Sequence, residues 1–343
     1  MFFYFAIVFF ILYTSGRYNI NGVRVFPQKY GLILSAFLLI FIAVFRFDVG
    51  FDYHGYFHAI YPKLNIWVVR NFEPIPKLIY YIADYLRSPL FVFIAFGVPT
   101  YILFFKTFHD LSVNEYESFI IFFSMFYLGT MDTIRQYLAL AVTFYGFRFV
   151  KQKKFLRYLI CCVVAFLCHK SAIIAVFIYP IYYANTYLVF LGAISLILLK
   201  NILFSLSSLF HLYSYYLTQE LSGGKLIRFF YIIVLLAQII FLHIYKTKEH
   251  KRYLNLLSVG AVLPFIFGSS MGVRLALYFN IFLCLSWPSL FGTKKINYRA
   301  ISVFCFLGYF TLLLWYGVKD PMKTVYTPYQ LYFFADFNNF RLE

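Results

Sequence analysis

The chain is built from long apolar runs whose ends, rather than their middles, carry most of the charge. Runs occur at 1–14, 30–45, 89–105, 118–131, 133–150, 156–171, 172–185, 186–199, 226–245, 254–269, 273–290 and 300–316. A straight helical span of a bilayer takes roughly 20 residues, so runs of this kind predict helices that cross or nearly cross one. Several are short, and neighbours such as 156–171 and 172–185 predict tight hairpins. No internal repeat or low-complexity block interrupts the series. The pattern predicts an all-α polytopic integral membrane protein of about 12 transmembrane helices, a single domain over 1–343.

Composition agrees with the pattern. Of the 343 residues, 63% are hydrophobic and 13% charged, with a mean hydropathy of +0.77. Ordinary soluble domains are about half apolar and a quarter charged, so a soluble fold is excluded. A net charge of +17 would point to nucleic acid in a soluble protein. Here it is expected from basic loops that set topology, and no nucleic-acid partner is implied. Cys161, Cys162, Cys168, Cys284 and Cys305 all lie inside apolar runs, at no spacing that suggests metal or disulfides. Met1–Tyr13 lacks a basic flank and a small-residue cleavage site, so it reads as a retained helix rather than a signal peptide.

The basic residues orient the helices. One set of joints holds Arg17, Arg24 and Lys29; Arg148, Lys151, Lys153, Lys154 and Arg157; Lys246, Lys248, Lys251 and Arg252; and Lys294, Lys295 and Arg299. Short loops rich in base and poor in acid lie on the cytoplasmic side. The joint 106–117 departs from this, with Asp110, Glu115 and Glu117 against Lys106, but acids count little in that rule. The other side then carries the long segments 46–88 and 200–225 and the tail 317–343, with short turns at 131–135, 168–171 and 269–274. Within 46–88, Glu73-Pro-Ile-Pro opens a helical pattern ending near Arg87. An acid followed by proline suits a helix start. The helix is too short to span and is expected to lie on the outer surface.

The outer joints hold the unusual residues. After the run 30–45 come Arg46, Asp48, Asp52 and His54 within nine residues, among Gly50 and Gly55. A polar exit loop would need one snorkelling cation, not two carboxylates as well. Further along stand Asp132 and Arg135, His169 and Lys170, and Arg274. Asp132 and Arg135 are three apart and, on one helix, would pair as a structural unit. Charges at membrane depth are costly and tend to share a polar cavity. Arginine offers a planar fork for phosphate oxygens, so Arg46, Arg135 and Arg274 together suit a diphosphate. Asp52 or His169 can accept a proton from a hydroxyl. A zinc site at His54 and His58 lacks a third ligand, and no glycine-rich phosphate loop points to a nucleotide.

At these residues the chain resembles the EpsG-like group of Wzy-type polysaccharide polymerases. Arg46, Val49-Gly50, Asp52-Tyr53, Tyr56 and Glu73-Pro are similar to its first outer-loop signature. Arg135-Gln136, Ala139, the turn 151–155 and His169-Lys170-Ser171-Ala172 resemble its central block. Arg274 with Tyr278-Phe279, and Thr327-Pro328-Tyr329, resemble its carboxyl-terminal marks. The resemblance implies a GT-C-like glycosyltransferase of the bacterial inner membrane, with its active site facing the periplasm. It would join undecaprenyl-diphosphate-linked oligosaccharide repeats into O-antigen, capsule or exopolysaccharide, without metal or cofactor. Asp52 and His169 would be catalytic, with Arg46, Arg135 and Arg274 on the diphosphate. Tyr53, Tyr56, Gln136, Lys170, Ser171 and Tyr329 would support them. A chain-length regulator and a flippase of the same pathway are the implied partners. An O-antigen ligase is the alternative enzyme, although its largest outer segment is expected late rather than at 46–88. A flippase or transporter is the other class, but neither paired halves nor broken helices show in the sequence.

Topology is open to direct test. Reporter fusions should give fluorescence with green fluorescent protein at Lys153 and phosphatase activity at Ser222. Phosphatase activity at Lys153 would invert the orientation.

Overall fold

The computed structural model describes the chain apart from residues 1, 16–18, 21–22, 25–27, 200–223, 246–247, 292–295, 320–325, 327–328 and 335–343. The expected outer segment 200–225 lies almost wholly outside the described residues, as do Arg17, Lys246, Lys294, Lys295, Thr327 and Pro328.

The apolar runs are helices, each whole or broken. Helix α1 (Phe2–Ser15) is followed by a short hairpin of β1 (Asn19–Ile20) and β2 (Val23–Arg24), then α2 (Gln28–Val44). Strand β3 (Arg46–Phe47) and the short helices α3 (Tyr53–His58), α4 (Ile66–Val69) and α5 (Pro74–Tyr85) make up the long loop. Next come α6 (Pro89–Leu111), α7 (Glu115–Met125), α8 (Tyr127–Asp132), α9 (Ile134–Lys151) and α10 (Phe155–Cys168). A 3₁₀ stretch, Lys170–Phe177, leads into α11 (Ile178–Tyr183) and α12 (Thr186–Leu198). The last helices are α13 (Gly224–Tyr245), α14 (Lys248–Ile266), α15 (Val273–Asn280), α16 (Leu283–Phe291) and α17 (Ile296–Lys319).

Helix α9 is the axis. Its residues from Gln136 through Ala141 are all buried, as are Phe144, Phe147 and Val150, and it packs on α6, α10 and α15. Phe144 and Phe147 meet Phe282 edge-on, with ring centres 5.4 and 4.5 Å away. Phe104, Phe108 and Phe122 continue this aromatic layer. Tilted and edge-on rings of this sort pack closely without polar atoms, which accounts for much of the aromatic content. Apolar side chains also cover outer faces: Ile102, Leu156, Ile160, Ile173, Leu188 and Ile194 are all exposed. Exposed apolar surface along helices is what contact with lipid requires.

Only α6 is long and apolar enough by itself to cross a membrane among the described residues; α15 with α16 qualifies as a pair bent by 43°. The others fall short for identifiable reasons. Helices such as α10 and α12 have 14 and 13 residues, about 20 Å at 1.5 Å per residue, against a hydrocarbon core of roughly 30 Å. Helix α9 has 18 residues but keeps Arg135, Arg148 and Lys151 at its ends.

Breaks in the helices are the main departure from expectation. The run 118–131 divides at Phe126, and α8 ends at Asp132, where Thr133 leaves helical geometry. A π-helical turn, Gly268–Gly272, precedes the bent α15–α16 pair. No residue pattern announces these breaks, because π-turns arise where side chains or neighbours disturb the hydrogen-bond ladder rather than at a fixed residue type.

Ionisable residues collect at two ends of α9, about 27 Å apart for its 18 residues. At its carboxyl end Arg148 pairs with Asp110 at 3.0 Å and Lys151 with Glu249 at 2.7 Å. Lys106 reaches Asp110 at 3.1 Å and His109 reaches Glu115 at 3.0 Å. Asp110 and Glu115 of the joint 106–117 are thus held by neighbouring bases.

Gly50 fixes the loop at the other end. It has φ +106°, and a Cβ there would come 2.6 Å from the carbonyl oxygen of Met131. Gly50→Ala should therefore lower stability by about 1–3 kcal/mol. Gly55→Ala, in open space on α3, should leave stability unchanged or raise it by about 0.4–1 kcal/mol. Thermal unfolding of both variants in nanodiscs checks this; equal melting points would refute it.

Candidate active site

The amino end of α9 gathers side chains from four separate segments. Arg46 holds the first. It is 2% exposed, and three of its nitrogens donate to carbonyl oxygens: Nε to Val49 at 2.9 Å, Nη2 to Met131 at 2.8 Å, and Nη1 to Ala43. Its guanidinium lies 4.8 Å from the Phe93 ring centre and 5.8 Å from that of Tyr53. Tyr53 is itself fully buried and stacked on Phe93 at 4.8 Å. Arg46 therefore ties the loop to α2 and α8, its donors spent on carbonyl oxygens where the sequence suggested a helping contact to the diphosphate.

Asp132 ties the same loop from above. One carboxylate oxygen accepts the Phe51 N–H at 2.7 Å and the other accepts the Tyr326 hydroxyl. The expected Asp132–Arg135 pair does not form, because Thr133 separates them on two helices. Strand β4 (Gln330–Leu331) pairs antiparallel with β3, Arg46 opposite Leu331. Tyr329 donates to the Ile42 carbonyl at 2.6 Å. The tail thus straps down the loop that carries Asp52.

Asp52 sits at the amino end of α3, but its side chain does not cap that helix. Asn65, Asn114 and Asn185 do cap theirs. Half-buried, its carboxyl is pushed up in pKa by burial and drawn back by the positive charges of Arg274 and Arg135. Those two arginines are also half-buried. Among the described residues Asp52 makes no ion pair with Arg46, whose donors go to carbonyl oxygens.

Arg135 is aimed by Glu73. Its Nη1 donates to Glu73 at 2.9 Å, and the guanidinium lies 4.2 Å from the Phe72 ring centre and 5.9 Å from that of Tyr56. The second oxygen of Glu73 accepts the backbone N–H of Lys170 at 3.2 Å. Glu73 is 7% exposed and so joins α5, α9 and the 168–171 turn. Tyr80 steadies α3 by donating to the Tyr56 carbonyl at 3.2 Å. Gln136 donates to the carbonyl of Arg274 at 2.7 Å, which seats α15 against α9.

His169 occupies the turn before the 3₁₀ stretch. Its Nδ1 accepts the Ser171 N–H at 3.2 Å and lies 2.7 Å from the Ser171 hydroxyl, which in turn meets Tyr278 at 3.0 Å. Burial, with Arg135, Arg274 and Lys170 adding to it, lowers the imidazole pKa against the opposing pull of Glu73. The ring is neutral. With Nδ1 accepting, its proton rests on Nε2, so the open edge of the ring is a donor.

The structure therefore brings together Asp52, Arg135, Arg274 and His169, with Ser171 and Gln136 behind them. Lys170 is exposed beside them. Arg46, Tyr53, Tyr56 and Tyr329 lie beneath as supports. Asp48 and His54 pair with each other at 2.7 Å on the exposed side of the loop. All of the gathered residues fall within 29–331, the stretch that matches the sequence signature of the EpsG family.

The chain belongs to the EpsG family. That family includes polysaccharide-polymerase-like proteins, and it places this chain among membrane proteins of polysaccharide biosynthesis. No curated protein matches the chain, and no solved structure does.

Within this EpsG-family fold, sequence reasoning overlooked two working residues. Glu73 was read as a helix start and as part of the outer-loop signature, with no partner assigned to it, although it is one of just 13 acids. Tyr326 has no signal in a chain with 33 tyrosines. The buried pair Arg135–Glu73, 21% and 8% exposed, should be costly to break. Glu73→Ala is expected to lose about 3–5 kcal/mol, whereas Asp48→Ala, from a pair more than two-fifths exposed, should cost under about 1 kcal/mol. Denaturation of the two variants side by side tests the ranking; equal losses would contradict it.

Proposed function

We propose that this EpsG-family protein is a repeat-unit polymerase of about 12 membrane crossings, GT-C-like, in the bacterial inner membrane. It joins undecaprenyl-diphosphate-linked oligosaccharides at a site facing the periplasm. The observation that supports this most is a half-buried Asp52 on which the positive charges of Arg274 and Arg135 act. One carboxylate and two arginines, delivered by separate helices, match the two needs of glycosyl transfer from a lipid diphosphate.

In the proposed reaction, a hydroxyl of an incoming lipid-linked repeat attacks the anomeric carbon of the growing glycan. The new carbon–oxygen bond forms as the bond to the lipid diphosphate breaks. Asp52 takes the hydroxyl proton and later gives it to water. Its pKa, raised by burial, makes it a stronger base than an ordinary carboxylate, and its charge also steadies an oxocarbenium-like centre. Arg135 and Arg274 take the growing negative charge of the diphosphate. His169, a donor at Nε2, serves to hydrogen-bond a phosphate or sugar oxygen, leaving Asp52 as the base. Arg46 acts at one remove, by holding the loop of Asp52 in place.

A flippase reading gains weight from the bent α15–α16 pair, since broken helices recur in transporters. Gene deletion separates the readings. Loss of a polymerase leaves a single repeat on the lipid core, loss of a ligase leaves none, and loss of a flippase strands repeats inside the cell.

Complementation then tests the residues. Arg135→Lys and Arg274→Lys should insert at normal levels yet lose most chain elongation, because an ammonium cannot replace a planar fork. Asp52→Asn should bind substrate but elongate at least about a hundredfold more slowly. In the wild type the rate should rise with pH as Asp52 ionises, an acid limb displaced above the usual carboxylate range by burial. That limb should vanish in Asp52→Asn. Full-length ladders from the lysine variants, or an unchanged acid limb in Asp52→Asn, would sink the assignment.

A further inference from the structure

The segment that carries Asp52 also walls a cavity. A groove of about 1020 Å³ opens beside it, lined in part by Tyr61, Lys63, Asp84, Tyr85, Arg87 and Tyr332. Tyr61 and Lys63 follow α3, the helix that begins at Asp52. Asp84, Tyr85 and Arg87 stand at the end of α5, the helix that begins beside Glu73 and so beside Arg135. Tyr332 comes from the tail strap, where its N–H bonds the Phe45 carbonyl at 2.8 Å. The groove and the candidate active site therefore share three elements, one at each end of α5. With 12 residues in α5, they stand about 18 Å apart along it.

We propose that this groove binds a stretch of the growing glycan remote from its lipid-linked end. The inference rests on the polymerase reading of the neighbouring site. A pyranose presents apolar C–H faces and a rim of hydroxyls. Aromatic rings pack on such faces, and tyrosine adds a polar tip. Tyr85 is 87% and Tyr61 41% exposed, and Lys63, Asp84 and Arg87 are exposed at the same wall. Donors and an acceptor set among rings are the lining of a polar ligand's site. Lys63, Asp84 and Arg87 supply hydrogen-bonding groups that a sugar hydroxyl uses and a lipid tail does not.

The separation gives the groove a purpose. One or two sugars held at Asp52 do not extend the length of α5, whereas a chain of several repeats reaches past it. Retaining the distant part of the chain raises its effective concentration at the active site between additions, as any second attachment point does. Affinity for the groove then governs how many repeats are added before the chain departs.

The experiment uses full-length protein in nanodiscs and lipid-free oligosaccharides of one to six repeats, released from the host polysaccharide. Fragments of several repeats should bind more tightly than a single repeat. The Tyr61→Ala/Tyr85→Ala variant should bind the long fragments at least about tenfold more weakly, some 1.4 kcal/mol. In lipid-linked assays it should join the first two repeats at the wild-type rate but yield shorter chains. Unchanged affinity together with an unchanged length distribution would overturn the proposal. So would weakened attachment to the bilayer with oligosaccharide binding intact, which would make the tyrosines membrane anchors. A wild-type protein that binds long fragments but never joins two repeats would refute the polymerase reading while leaving the glycan groove standing.

Discussion

The guanidinium of Arg46 is the constraint on which the outer end of this protein depends. A buried cation must have its donors satisfied or pay heavily for leaving water. Here three backbone carbonyls, from α2, the loop and α8, supply the acceptors. Those carbonyls are brought together by the charge. The loop can then turn at Gly50 against Met131, Asp132 can receive the Phe51 N–H, and Asp52 is left at the start of α3, under the positive charges of Arg274 and Arg135. The tail strand adds a lid of backbone hydrogen bonds over β3. Removing the Arg46 charge would orphan carbonyls in three elements at once.

A second organising feature is the division of charge between the two ends of α9. At the carboxyl end, acids and bases are paired off in short contacts, Arg148 with Asp110 and Lys151 with Glu249. At the amino end, one acid, Glu73, holds Arg135 and the turn of His169 together. Asp52 remains among cations. The first end is neutralised by pairing, and the second keeps charge in reserve. Helix breaks at Thr133 and at 268–272 fall at this second end, where irregular backbone can present N–H groups and side chains toward a polar ligand.

Much of this could be read from the chain. Apolar runs mark helices because a backbone away from water must bond to itself, and every run proved helical or nearly so. The gathering of Asp52, Arg135, His169 and Arg274 was legible because charge beside apolar runs is rare enough to count. The role of Arg46 was not. Its partners are carbonyls, which every residue carries, so no sequence pattern announces them. Asp132 and Arg135 misled for a related reason: their spacing promises a pair only if one helix continues through Thr133. Glu73 was hidden by its fitness for a second task, since glutamate before proline already explains itself as a helix start. The proton position on His169 depends on the Ser171 N–H, a contact that exists only once the turn has formed.

The central claim is that this site joins lipid-linked repeats and neither moves them nor transfers them to another core. Purified protein in proteoliposomes, given an undecaprenyl-diphosphate-linked single repeat and nothing else, tests it most directly. The account predicts a ladder of lipid-linked products, with one undecaprenyl diphosphate released for each joining. A repeat that crosses the bilayer unaltered, or that stays a single repeat in the presence of folded protein, would contradict it.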